Sequence, residues 1–77
     1  EEEIKQVFSD VLRVESQSVH AALTPAELER WDSLQHLNLL LALEDTFAVR
    51  FSVDEMKQMF SSFGAILNVV ARKLQEA

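Results

Sequence analysis

The apolar residues of this chain recur at helical spacing from one end to the other. Ile4, Val7, Phe8, Val11 and Leu12 fall at i, i+3, i+4, i+7 and i+8, one stripe of an amphipathic helix, and predict a first helix over about residues 2 to 14. Glu1, Glu2 and Glu3 lead into it and suit the positive end of a helix dipole. A second helix is signalled by Asp32 as N-cap, with Gln35 three residues on as a capping-box partner. Leu34, Leu37, Leu40, Leu41, Leu43 and Phe47 then give a broad apolar face ending near Phe47. A third, shorter helix starts at the Ser52-x-x-Glu55 capping box and is expected to bury Val53, Met56 and Phe60. The fourth begins near Ser61 or Ser62, uses Phe63, Ile66, Leu67, Val70 and Leu74, and ends near Arg72 and Lys73, cations that suit a helix C-terminus. Gly64 falls in its first turn, where a poor helix former costs least.

Residues 15 to 31 form a connection longer than most loops in compact domains. Within it, Thr24-Pro25-Ala26-Glu27 combines an N-cap, a proline at the first helical position and a glutamate at the third, which predicts a short helical turn from Pro25 to Arg30. Val19, Leu23 and Leu28 are positioned to pin the loop to the core. With one Gly, one Pro and no Tyr, little is left to build strands and hairpins. The expected fold is all-α: a small four-helix bundle with a long loop between helices 1 and 2, one domain over residues 1–77, without internal repeats.

A chain of 77 residues supports one core and little room for an enclosed pocket, which disfavours a self-contained enzyme. The longest apolar run, Leu39 to Leu43, is far short of a membrane span, and an acidic start is the reverse of a basic targeting segment. The net charge of −6 repels nucleic acid and favours a basic protein partner. Residues 27 to 55 hold seven acidic residues against two arginines, so charge-steered docking belongs to that half and is expected to weaken as salt rises.

Reactive side chains are few. The absence of cysteine removes thiol nucleophiles and cysteine metal sites. His20 and His36 have no flanking zinc-ligand pattern, the acidic residues do not form an EF-hand loop, and one glycine cannot make a phosphate loop. No catalytic residue and no metal site is assigned; a reactive group must come from elsewhere. The constellation that stands out is Trp31-Asp32-Ser33-Leu34. It places Ser33 directly after the cap, where a phosphate on its hydroxyl would meet free backbone N–H groups at the positive end of the dipole. Taken alone, Asp-Ser at a helix start reads as a cap.

The longer stretch Asp32-Ser33-Leu34-Gln35-His36-Leu37-Asn38-Leu39-Leu40-Leu41-Ala42-Leu43-Glu44-Asp45-Thr46-Phe47 resembles the acyl carrier protein family, which includes the carrier domains of polyketide and nonribosomal peptide synthases. It has the family's Asp-Ser-Leu signature, the hydrophobic run and the Ala-Leu-Glu-x-x-Phe ending, and the resemblance extends through the helix order of nearly the whole chain. It implies that Ser33 carries a 4′-phosphopantetheine arm added from coenzyme A by a phosphopantetheinyl transferase. It also implies that acyl groups ride on that arm as thioesters; loading and transferring enzymes are expected to dock on helices 2 and 3, where the charge tally concentrates the acidity. A monomeric, cytoplasmic carrier is expected, with no nucleic-acid or membrane partner; the alternative is an unmodified helical adaptor. Gln35 and Asn38 stand where fatty-acid-synthesis carriers usually have acids, and the Trp-Asp-Ser-Leu-x-His-Leu form resembles discrete carriers of specialised pathways. The residues assigned to the prosthetic group are Ser33, Asp32, Leu34, His36 and Trp31. His36 shares the face of Ser33 and reads either as a solvated polar residue or as a contact to phosphate or partner. Trp31 reads as a loop anchor or an arm contact, and the leucine face of helix 2 as core or acyl tunnel. Met56 and Phe60 read as core, or with Met59 as an adaptable patch beside the arm.

Overall fold

The computed structural model describes residues 2–76, with side chains to residue 75; Glu1 lies outside the described residues. Four helices follow one another without a strand among the described residues: α1 Glu2–Leu12, α2 Ser33–Phe47, α3 Val53–Met59 and α4 Phe63–Glu76. A 3-10 turn, Ser16–Ser18, lies in the long first loop. The bundle closes on one cluster in which Phe8, Trp31, Leu39, Leu40, Leu43, Met59, Phe63, Ile66 and Val70 are essentially inaccessible.

Helix α1 buries Ile4, Phe8, Ser9 and Leu12 and ends two residues earlier than its periodicity predicts. Arg13 adopts a left-handed backbone, φ 57°, and the Val14 amide donates to the Ser9 carbonyl at 3.1 Å, a Schellman closure that turns the chain out of the helix. Helix α2 ends the same way, with Ala48 at φ 55° and the Val49 amide on the Glu44 carbonyl. The Glu44 carboxylate then accepts from the Phe51 amide at 2.9 Å, helping to hold Val49 and Phe51 in the core.

The α2 face differs from the expected one. The buried positions are His36, Leu39, Leu40 and Leu43, while Leu34, Leu37 and Leu41 stand about half or more exposed. In a helix with leucines on nearly every side, periodicity alone does not choose the buried face, and a buried histidine is not counted as apolar. Smaller corrections concern α3 and α4. Val53 and Leu74, expected in the core, are exposed, whereas Met59 and Val69 are fully buried. Helix α4 also runs past Lys73 to Glu76.

Helix α3 carries the expected capping box in full: Glu55 N–H donates to Ser52 Oγ at 3.1 Å and Ser52 N–H to Glu55 Oε1 at 2.8 Å. The Ser52 amide and Lys73, 3.0 Å away on α4, hold the Glu55 carboxyl below its usual range. At α2 only the Asp32 half of the predicted box forms; the Gln35 side chain instead accepts from Asn38.

The long loop is tied down, as its apolar residues suggested. Val19 and Leu23 are buried and Leu28 packs on the core. The expected helical turn from Pro25 to Arg30 is instead a pair of turns, at residues 25–27 and 29–30. They are closed by Glu27 N–H to Thr24 C=O and Trp31 N–H to Leu28 C=O. Glu27 also folds back to accept from the Thr24 amide, and Arg30 donates to the Arg13 carbonyl at 2.7 Å. The loop in turn caps α4, whose Phe63 and Gly64 amides donate to the carbonyls of Leu23 (2.8 Å) and Ala21 (2.9 Å). A Cβ on Gly64 would stand 3.0 Å from the Ala21 oxygen, so this glycine permits a backbone approach rather than merely being tolerated.

Two stability measurements follow. Gly64→Ala should destabilise the fold by about 1–2 kcal/mol in urea titration, because the displaced backbone carbonyl outweighs alanine's better propensity; an unchanged midpoint would contradict the close approach. The Ser9 hydroxyl is buried without a partner, so Ser9→Ala should stabilise by about 0.5–1.5 kcal/mol in the same assay.

Candidate functional site

The site is built at the junction between the long loop and α2. Asp32 is extended (φ −97°, ψ −179°) and its carboxylate accepts from the Gln35 amide at 2.8 Å, which starts the helix at the next residue. Ser33 is therefore the first residue of α2. It is exposed, and its hydroxyl is committed to no partner among the described residues. Asp32 and Leu34 flank it in solvent. Four other serines are less free, since Ser52 and Ser62 cap helices, Ser61 donates to a carbonyl and Ser9 is buried; Ser16 and Ser18 are also exposed, but they lie in the 3-10 turn of the long loop and not at the start of an α-helix.

Trp31, two residues before Ser33, points the other way and is 1% exposed. Its ring meets Phe8 edge-on at 5.1 Å and Phe60 at 6.0 Å. Its indole N–H donates to His36 Nδ1 at 3.0 Å. That bond defines the tautomer: with Nδ1 accepting, the imidazole proton sits on Nε2, which donates to the Met56 carbonyl at 3.0 Å. His36 is 6% exposed and lies 4.6 Å from the Phe60 ring. The solvated reading of His36 is thus corrected: it is buried because both ring nitrogens find partners inside the fold. Burial lowers the imidazole pKa from its ordinary 6.5, while the Met56 hydrogen bond opposes that shift. Trp31 stands as the loop anchor.

Beside Ser33 an apolar trough of about 230 Å³ runs between α2 and α3. Leu37 and Leu40 line one wall, Met56 and Phe60 the other, with His36 between them. An exposed hydroxyl at one end of an apolar trough fits a covalently attached group with a flexible, partly apolar arm. Of the five residues assigned from sequence, the fold brings Ser33, Asp32 and Leu34 to the surface and sets Trp31 and His36 behind them. Sequence reasoning missed that Trp31 and His36 are hydrogen-bonded to each other; the i, i+5 separation across a helix cap is not a spacing that face arguments consider.

An exposed serine at the tip of a capped helix, beside an apolar trough, leaves its hydroxyl open to modification. The chain matches the family model described as "Phosphopantetheine attachment site" over residues 2–70. Among twelve solved chains that match, the solution NMR structure of holo acyl carrier protein from Geobacter metallireducens superposes with a TM-score of 0.87 at 24% identity. That match covers 97% of this chain and 85% of that one, and speaks to the fold. No curated protein matches. The chain belongs to the phosphopantetheine-attachment family of acyl carrier proteins. It is a carrier, not an enzyme, and its prosthetic group is 4′-phosphopantetheine.

The neutral, buried His36 sets a pH dependence. The unfolded chain takes up a proton near 6.5, whereas the folded chain takes it up only at lower pH. Stability from this group is therefore full above 6.5 and is lost as pH falls from 6.5 toward the lowered folded value. Thermal melts from pH 7.5 to 5.0 should show this loss in the wild type and not in His36→Phe. The difference between the two proteins removes the general effect of titrating an acidic surface, and parallel curves would contradict the assignment.

Proposed function

We propose that Ser33 is the attachment point of the 4′-phosphopantetheine arm and that the chain carries acyl intermediates on it as thioesters between partner enzymes. The observation that carries this reading is the uncommitted Ser33 hydroxyl at the first position of α2, beside an apolar trough. The group supplies a thiol, which this cysteine-free chain lacks. The chain's own residues do the rest. Asp32 caps the helix so that Ser33 opens it at the positive end of its dipole, Leu34 flanks Ser33 in solvent, and Trp31 and His36 support it from within.

Partners in this reading are a phosphopantetheinyl transferase and acyl-loading and acyl-transferring enzymes that dock on α2 and α3. Their contact surface has two parts. Residues 33–43 carry no Asp, Glu, Lys or Arg and expose Leu34, Leu37 and Leu41, an apolar stripe at i, i+3 and i+7. Asp32 beside the serine, and Glu44, Asp45 and Asp54 farther along, supply acidic charge at the two ends of that stripe, and salt sensitivity arises from them. Amides at Gln35 and Asn38 and the resemblance of the Trp-Asp-Ser-Leu-x-His-Leu form to discrete carriers support a specialised pathway, such as polyketide, nonribosomal peptide or unusual acyl-unit synthesis, in place of ordinary fatty acid synthesis. A cytoplasmic, monomeric carrier comes with the family resemblance. No helix among the described residues is long and apolar enough to cross a membrane.

Incubation with coenzyme A and a broad-specificity transferase, read by intact-protein mass spectrometry, should add one phosphopantetheinyl mass to the wild type and none to Ser33→Ala. A mass gain retained by folded Ser33→Ala would move the attachment elsewhere and overturn the reading.

A further inference from the structure

We infer that His36 is a positioning residue for the arm site: from α2 it holds α3 at the edge of the trough beside Ser33, through a clasp that only the neutral imidazole can make. Its bearing on the arm rests on the Ser33 reading; the clasp itself does not.

Helix α3 has seven residues, too few to be stable without tertiary support. Its hydrogen-bond ladder tightens early, because the Phe60 amide donates to the Lys57 carbonyl at 3.1 Å. The Met56 carbonyl, four residues before that amide, accepts instead from His36 Nε2. A side chain of α2 thus fills the place of α3's own next amide, an interhelical C-cap. Met56, whose carbonyl this bond engages, and Phe60, whose ring lies 4.6 Å from the imidazole, line the trough on the α3 side. The remaining ties of α3 run elsewhere: Glu55 to Lys73 on α4, and Met59 into the core.

The clasp depends on protonation for a geometric reason. A second proton on the ring would go to Nδ1, which already faces the Trp31 indole N–H at 3.0 Å. Two donors cannot share that line, and indole has no acceptor to offer. The ring must then leave the position from which Nε2 reaches Met56. Among the described residues no anion is placed to hold the charged form. Asp32, next to Trp31, is exposed and turned to the Gln35 amide. On α3, Glu55 is held by Ser52 and Lys73, Asp54 is exposed, and Lys57, which lines the trough with His36, repels a second cation. From α1 the neighbour of this cluster is Phe8. In the neutral protein α3 is therefore pinned beside the arm, and in acid the pin is withdrawn.

The test is an NMR titration from pH 7.5 to 5.0 of the modified protein and of the unmodified chain, following the His36 ring and the backbone amides of all four helices. In the wild type the α3 amides should shift together with the His36 ring, in one transition centred below 6.5, while α1 and α4 move little. His36→Phe keeps a ring in the aromatic cluster and should abolish the transition. Trp31→Phe removes the opposing donor and should move it up by roughly half a pH unit or more. Helix α3 shifts that stay flat while His36 titrates, or that persist in His36→Phe, would overturn the inference, as would an unmoved midpoint in Trp31→Phe. Intact mass reads modification separately. Failure to load the arm would count against Ser33, whereas failure of the transition would count against the clasp.

Discussion

Burial of Trp31 is the constraint on which the arrangement around the serine depends. A side chain of this size excluded from water contributes a large apolar term, and here it is fixed on two sides by Phe8 and Phe60. Its indole N–H requires an acceptor once buried, and His36 Nδ1 is that acceptor. With Trp31 held inward, the extended Asp32 turns the chain into α2 and Ser33 emerges on the opposite side. Removing the tryptophan would leave an imidazole buried with one nitrogen unpaired and a helix start without its anchor.

From that anchor the functional parts follow in sequence. The loop that ends at Trp31 also supplies the carbonyls that start α4, so the close packing at Gly64 and the placement of Ser33 belong to one continuous piece of structure. On the far side of α2, His36 passes the constraint to α3 through Met56. Ser33 stands at the tip of α2, with the short helix α3 lying alongside.

Much of this was legible in the sequence. Helix order, the caps at Asp32 and Ser52 and the apolar pins of the loop are local signals, carried by residue types at fixed offsets, and the fold keeps them. The buried face of α2 was not legible, because leucines at 34, 37, 39, 40, 41 and 43 satisfy several helical faces at once and His36 is formally polar. Its burial depends on Trp31 and on a carbonyl 20 residues away, a tertiary fact with no local signature. The end of α1 and the turns at residues 25–30 were missed for a related reason. A left-handed arginine at 13 stands where glycine is the usual signal, and the Thr24–Glu27 box closes turns without propagating a helix.

The chain has a single tryptophan, so its fluorescence reports on the anchor alone. Quenching by acrylamide and iodide at pH 7.5, with and without the arm, should show an indole with blue-shifted emission that neither quencher reaches until the protein unfolds. Emission and quenching close to those of free tryptophan in the folded protein would contradict the account, because the residue said to hold Ser33 outward would itself be in water.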